Sequence, residues 1–114
     1  MTEIVVDTCA LADEEHDKSL RQYAHVLHHP GVICVADAFF GLPEDIRCGL
    51  LAHEVGHLLA VQRDANHSEK AADRAVFVSY GLVIRYRDSE YGDNLECLDK
   101  KDVEKFRELF EYLP

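Results

Sequence analysis

The sequence of 114 residues has no tryptophan, few glycines and prolines, and no apolar run of the length that crosses a membrane. We therefore expect no transmembrane helix. The first residues lack the basic start and long apolar stretch of a signal peptide, so a cytoplasmic protein is the expectation. Repeats, low-complexity segments and linkers are also missing. Residues 1–114 are accordingly predicted to form one domain with a single core.

Basic residues are scarce, with 12 Lys and Arg against 22 Asp and Glu, for a formal net charge of -10. A chain of this charge repels phosphate backbones, so no nucleic-acid partner is expected. None of the four cysteines forms a C-x-x-C pair, which argues against a structural zinc knuckle. In a cytoplasmic chain we expect them to be reduced and mostly buried.

The spacing of apolar residues predicts an α+β fold, in which about four helices pack on a small, mostly antiparallel sheet. Residues 88–94 are polar and typical of turns. Helices are predicted over residues 13–28, 43–62, 69–80 and 99–112, and strands or extended segments over residues 3–7, 32–36 and 82–86.

The second predicted helix contains the pattern H-E-x-x-H at residues 53–57. His53 and His57 are four residues apart, so they share one helix face and can bind one ion at about 2.0–2.1 Å. Glu54 projects beside such an ion and can take a proton from its bound water. Gly56 has no side chain, so another element can approach the helix closely there.

A catalytic zinc site needs a third protein ligand as well as an open position. A metzincin arrangement is excluded, because Ala60 and Arg63 occupy the positions where that class has Gly and His. Asp64 and His67 are possible donors, although both lie in or near a tight loop. Glu69 is better placed, since it begins the next helix and a short loop allows the two helices to be antiparallel neighbours.

Asp73 lies four residues after Glu69, on the same helix face. It can accept a hydrogen bond from a ligand imidazole while Glu69 binds the ion, which would fix the ring's tautomer. Ala72 is small enough to let the two helices pack closely.

Together, H-E-x-x-H and the following E-x-x-A-D resemble the gluzincin metallopeptidases, including the CAAX prenyl endopeptidases and the soluble minigluzincins. The match covers residues 53–73, while the predicted strand at 32–36 fits only in order and type. The resemblance implies a compact zincin-like minimal domain and a Zn²⁺ cofactor. It also implies that His53, His57 and Glu69 are the zinc ligands and that Glu54 is the catalytic base. Asp73 would be the hydrogen-bond partner of a ligand. The spacer of eleven residues before Glu69 is shorter than in many gluzincins.

The function expected from these residues is zinc-dependent endopeptidase activity on a peptide or protein substrate. We expect the segment 32–39 to be an edge strand that binds the substrate by strand addition. An oxyanion stabiliser is also needed, and Tyr80, Tyr86, Tyr91 and His67 remain open as candidates. Two alternatives are a catalytically silent or latent zinc-binding regulatory module with the same fold, and a catalytic subunit whose cleft is completed by a partner.

Overall fold

The computed structural model describes residues 2–3, 5–8, 23–25, 32–64 and 68–111. These residues adopt an α+β fold, as predicted. A 3-10 turn at Asp37–Gly41 precedes the first helix. The described residues contain three α-helices rather than about four, namely α1 (Glu44–Asp64), α2 (Glu69–Tyr80) and α3 (Lys100–Leu109).

Seven short strands of the described chain form three small sheets instead of one. β4 lies between β2, to which it is parallel, and β3, to which it is antiparallel. β1 pairs with β7 in parallel, and β5 pairs with β6 as an antiparallel hairpin. Two of these four pairings are antiparallel and two are parallel, so the expectation of one mostly antiparallel sheet is met only in part. The strands are β1 (Thr2–Glu3), β2 (Val5–Thr8), β3 (Ala24–His25), β4 (Val32–Val35), β5 (Arg85–Ser89), β6 (Gly92–Cys97) and β7 (Phe110–Glu111).

The helix predicted over residues 13–28 lies mostly outside the described residues, and its described part is strand β3. Ala24 and His25 pair with Val35 and Cys34 of β4. The backbone oxygen of Tyr23 also accepts a hydrogen bond of 2.9 Å from Ala36. These long-range backbone bonds override the helical spacing of the local apolar residues.

β4 also differs from the prediction in its place within the sheet. It has a hydrogen-bonded neighbour on both sides, so the segment predicted as an edge strand is a central strand. β2 pairs with all four of its residues and β3 with Cys34 and Val35, so these paired backbone groups are not free to add a substrate strand.

Helix α1 is the central element of the fold, as its apolar positions on more than one face predicted. The 3-10 turn, β6 and α3 supply much of the core that surrounds it, with Phe39, Leu95 and Phe106 all buried. Its own buried residues run from the first turn to Ala60, beyond the H-E-x-x-H pattern, and include Ile46, Cys48, Leu50, Leu51, Ala52, His53, Glu54 and Val55.

Helix α2 begins and ends where the sequence predicts. The Ser68 hydroxyl accepts a hydrogen bond of 3.1 Å from the backbone N–H of Ala71, which satisfies one free donor of the first turn. Gly81 ends the helix with a φ of 71°, a left-handed conformation that glycine adopts without steric cost. The helix therefore starts one residue after its cap, at Glu69.

The C-terminal part contains two departures from the prediction. Residues 88–94, expected to be a turn, include the ends of both strands of the β5–β6 hairpin. Helix α3 ends at Leu109, not at residue 112, because Phe110 leaves the helix and pairs with Thr2 of β1. The ring of Phe110 packs 5.0 Å from that of Phe106, between ring centroids.

Two further expectations concern cysteines and membranes. Cys48 and Cys97 are buried, as predicted, and neither forms a disulfide, while the side chains of Cys9 and Cys34 lie outside the described residues. That the cysteines are reduced stays a prediction. Among the described residues, no helix combines the length and the apolar character needed to cross a membrane.

Candidate metal centre

The two histidines of H-E-x-x-H lie one turn apart on α1, as their spacing requires. Their rings meet edge to face with centroids 4.6 Å apart, and the two Nε2 atoms are 3.1 Å apart. The side chain of His53 is 3% exposed and that of His57 is 12% exposed. Both imidazoles therefore present one nitrogen to the same point near the protein surface.

Glu69, in the first turn of α2, brings its carboxylate to that point. Its Oε2 lies 2.7 Å from Nε2 of His53, and its Oε1 lies 3.1 Å from Nε2 of His57. The Glu69 side chain is 70% exposed, so the cluster is closed by α1 and open to solvent on the side of α2. These three residues form a group that could hold a metal ion.

The chemistry of the donors fits a cation. A tetrahedral ion with bonds of about 2.05 Å places its ligands about 3.3 Å apart, and the three donor distances of 2.7–3.1 Å are slightly shorter. Two imidazole nitrogens and a carboxylate oxygen present lone pairs to one another, which only a proton or a cation can reconcile. The three donors would therefore have to move slightly apart to form a three-ligand coordination set.

The close approach of α1 and α2 makes the arrangement possible. A Cβ added at Gly56 would overlap the backbone carbonyl of Ala72, which is itself fully buried. Both the predicted need for a residue without a side chain and the predicted close packing at Ala72 are confirmed. Because the obstacle is backbone rather than a flexible side chain, any larger residue would push the helices apart.

Asp73 holds the first histidine from behind. The Nδ1–H of His53 donates a hydrogen bond of 2.7 Å to Oδ1 of Asp73, which leaves Nε2 of the ring free to face the cluster. The other oxygen, Oδ2, accepts a hydrogen bond of 2.6 Å from the hydroxyl of Tyr86 on β5. One carboxylate thus joins α1, α2 and the β5–β6 hairpin.

Glu54, which directly follows His53 on α1, is 8% exposed. Burial raises its pKa, His53 lowers it and the negative charges of Glu69 and Glu96 raise it, to about 8 overall. In the absence of a cation the carboxyl group is therefore largely protonated at neutral pH. A positive ion at the cluster would reverse this balance and favour the carboxylate.

The two histidines have opposite pKa directions. Burial lowers the pKa of His53, but the hydrogen bond to Asp73 and the charges of Glu54, Glu96 and Glu69 raise it, to about 9 overall. Burial and the neighbouring positive charge of His53 lower the pKa of His57. Without a metal, one proton is thus concentrated on His53, in the place that a cation would otherwise take.

Among the other oxyanion candidates, Tyr80 lies at the far end of α2 and packs on Phe110, with ring centroids 4.8 Å apart, which does not favour an oxyanion role for it. Tyr91 is exposed in the turn of the hairpin. His67 lies outside the described residues, as does the side chain of Asp64.

Two features of the hairpin are not predicted by the sequence. Tyr86 is one of several oxyanion candidates there, but its hydrogen bond to Asp73 has no local signal. Glu96 was not singled out, although it is paired across the strands with Tyr86 and its pKa is raised by burial. β5 is almost entirely exposed, and the extended segment predicted at 82–86 covers only its first two residues. β6 has only two buried residues, Leu95 and Cys97, too few for a clear apolar alternation.

Comparison of the sequence with models of protein families gives no match. Comparisons with curated proteins and with solved structures give no match either.

Proposed function

We propose that the protein is a zinc-dependent endopeptidase in which His53, His57 and Glu69 hold the metal and Glu54 is the catalytic base. The observation that carries the proposal is the convergence of three donor atoms within 4.8 Å of one another, from two helices. Two imidazoles and one carboxylate are a ligand set typical of catalytic zinc in peptidases. The resemblance of residues 53–73 to gluzincins supports the same assignment.

The exposure of the site favours catalysis over a purely structural ion. Structural zinc sites are closed by four protein ligands, whereas catalytic sites keep one position open. Among the described residues, the group that could hold an ion has three members, and the Glu69 side is open to solvent. A structural site has no role for a buried carboxylic acid beside the ligands, whereas a catalytic site needs a general base there.

In the proposed reaction, a zinc ion supplies a Lewis acid that acidifies water and polarises a peptide carbonyl. Glu54 takes the proton from the attacking water and later donates it to the leaving amine nitrogen. His53 keeps its Nε2 directed at the cluster because Asp73 holds its Nδ1–H. The peptide bond is replaced by a carboxylate and an amine, and Glu54 returns to its ionised state.

Two variants test the proposal. Glu54→Gln should retain zinc and lose peptide cleavage by about 10²- to 10⁴-fold, the usual contribution of a positioned acid–base group. Removal of a ligand's hydrogen-bond partner lowers metal affinity roughly 10–100-fold. Glu69→Ala removes a ligand itself and should lower zinc affinity by more than that. Glu104→Gln, an exposed acid on α3, is the matched control and should change neither property.

The measurements are zinc affinity by competition with a chelator and cleavage of a diverse library of unfolded peptides. A wild-type protein that binds zinc but cleaves no member of the library contradicts the enzyme proposal. The regulatory zinc-binding module would then replace it. Normal zinc affinity in Glu69→Ala would show that the third ligand is wrong.

A further inference from the structure

Tyr86 has a hydrogen bond that the proposed reaction does not use. Its hydroxyl donates to Oδ2 of Asp73 at 2.6 Å, while Oδ1 of the same carboxylate receives the Nδ1–H of His53 at 2.7 Å. The three side chains come from β5, α2 and α1, so they form a chain of two short hydrogen bonds that ends at a candidate metal ligand. Hydrogen bonds of this length to a charged acceptor are the strong ones.

The Asp73 carboxylate needs this second bond to have one orientation. Its side chain is 27% exposed, so water can compete with His53 for its oxygens. A carboxylate held at one oxygen alone can rotate about its terminal bond, and that torsion is broad. A donor on the opposite oxygen fixes the plane of the group, and the His53 ring then has one favoured direction for Nε2.

We propose that Tyr86 is a positioning residue of the metal centre, whose hydroxyl fixes the Asp73 carboxylate and thereby the His53 ring, so that the metal is bound more tightly. The inference rests on the proposed metal centre but not on peptide cleavage. It adds the β5–β6 hairpin to a site whose candidate ligands all come from α1 and α2.

The same bond argues against an oxyanion role for Tyr86. A phenol has one proton to donate, and that proton is directed at Asp73. Donating to a reacting carbonyl would require breaking the bond and leaving Oδ2 without its partner. Tyr86 therefore acts through Asp73, and its effect should vanish when Asp73 can no longer hold His53.

The test is a double-mutant cycle on zinc affinity, measured by chelator competition. Tyr86→Phe keeps the ring and removes the hydroxyl, and should weaken zinc binding by about three- to tenfold, less than the roughly 10–100-fold expected for Asp73→Asn. In the Asp73→Asn background, Tyr86→Phe should cause less than about a twofold further change. Tyr91→Phe is the control, because it is the same change on the same hairpin, in the turn away from the cluster.

Stability of the metal-free proteins is measured alongside. The urea midpoint of Tyr86→Phe should lie below that of Tyr91→Phe, because the bond that it loses has a charged acceptor, so zinc affinities are compared without urea, where both proteins are folded, and only Tyr86→Phe should lose affinity. Equal zinc affinity in the two variants overturns the inference, as does a fully additive effect of Tyr86→Phe in the Asp73→Asn background. A wild-type protein that binds no zinc overturns it together with the proposed function.

Cleavage assays of the same proteins keep the two proposals distinct. If the wild type binds zinc without cleaving peptides and Tyr86→Phe still weakens binding, the enzyme proposal fails and the positioning role stands. If the wild type cleaves peptides and Tyr86→Phe binds zinc normally, the reverse holds.

Discussion

Helix α1 is approached closely by backbone at two glycines, and the two approaches have different consequences. At Gly56 it meets the carbonyl of Ala72 on α2, and at Gly49 it meets the backbone of Cys97 at the end of β6. The first contact brings Glu69 to the two histidines. The second joins α1 to the hairpin, from which none of the three candidate ligands comes.

The comparison shows that close packing alone does not make a site. Both glycines admit a neighbouring backbone by the same means, the absence of a Cβ. Only at Gly56 does the neighbour carry, one turn before the contact, a residue of the group that could hold an ion. Glu69 and Asp73 lie beside that contact, whereas the residues beside the other are Glu96, Cys97 and Leu98, and Glu96 is not a member of that group.

The largest expected effects come from replacing each of the two glycines by alanine and comparing the results. Gly56→Ala forces α1 and α2 apart and should lower the free energy of unfolding by about 3 kcal/mol, at the upper end of overpacking costs. Zinc affinity should fall at least about tenfold, since the ligands of two helices no longer converge. Urea unfolding and chelator competition measure the two properties.

Gly49→Ala is the counterpart on the hairpin side. It should cause a comparable loss of stability, because the obstacle is again backbone, with the nitrogen of Cys97 only 2.5 Å from the added Cβ. Zinc affinity of the folded protein should change less than about threefold. Equal losses of zinc affinity in the two variants would show that the contacts do not differ in function.

Metal removal should destabilise the contact between α1 and α2 more than the contact between α1 and the hairpin. At a zinc concentration of about 100 times the Kd, binding stabilises the folded state by about 2.7 kcal/mol. The corresponding loss of Tm on chelation is about 10 °C for a chain of this size. Hydrogen exchange should accelerate in α1 and α2 more than in α3. A Glu69→Ala protein should show no such shift, and a uniform acceleration along the chain would contradict the comparison.

Raising the pH should instead act near the start of α1, where Cys48 is buried and has Arg107 of α3 among its charged neighbours. Burial and the charge of Glu44 raise the pKa of Cys48, next to Gly49, from 9.0 to about 11, although Arg47 opposes this. The unfolded thiol loses its proton first, so stability is full below pH 9 and falls as the pH rises to about 11. A tenfold change in an ionisation constant is worth about 1.4 kcal/mol, so the loss approaches about 2.7 kcal/mol.

The control for this prediction is Cys48→Ala, which has no thiol to ionise at that position. Its urea midpoint should fall less steeply between pH 9 and 11 than that of the wild type. Parallel curves for the two proteins would show that other groups, not the Cys48 thiol, set the alkaline limit.

The smallest expected effect concerns the first turn of α2. Ser68→Ala removes the hydroxyl that accepts from Ala71 and should destabilise the protein by about 1 kcal/mol. Because Glu69 follows directly, fraying there should also weaken zinc binding by about two- to threefold. Ser68→Asp should preserve both properties, since an aspartate caps a helix equally well. An unchanged zinc affinity in Ser68→Ala would show that the first turn is held by the cluster itself.

The α1–α2 side could be predicted from the sequence because its signals are local. His53 and His57 have the spacing of one helix face, Ser68 and Gly81 mark the ends of α2, and Gly56 marks the close approach. Each signal depends on residues close together in the chain, and the structure agrees with each. Glu69 and Asp73 follow from the short loop between the helices.

The strands could not be predicted in the same way, because their partners are distant. Ala24 is in a strand only because Val35 pairs with it, and β4 is central only because it has β2 as its other neighbour. The bond between Tyr86 and Asp73 depends on how the hairpin docks, which no local pattern encodes. Long-range pairing therefore accounts for most of the errors.

The parallel pairing of β1 with β7 also has a consequence for the order of events during synthesis. Thr2 and Glu3 lie beside Phe110 and Glu111, so this contact spans almost the whole described chain. A ribosome adds about 5–20 residues per second, and β1 must wait for β7 to emerge. The candidate ligands lie within residues 53–69 and need no such wait. A nascent chain could thus bring its three candidate ligands together seconds before β1 and β7 pair.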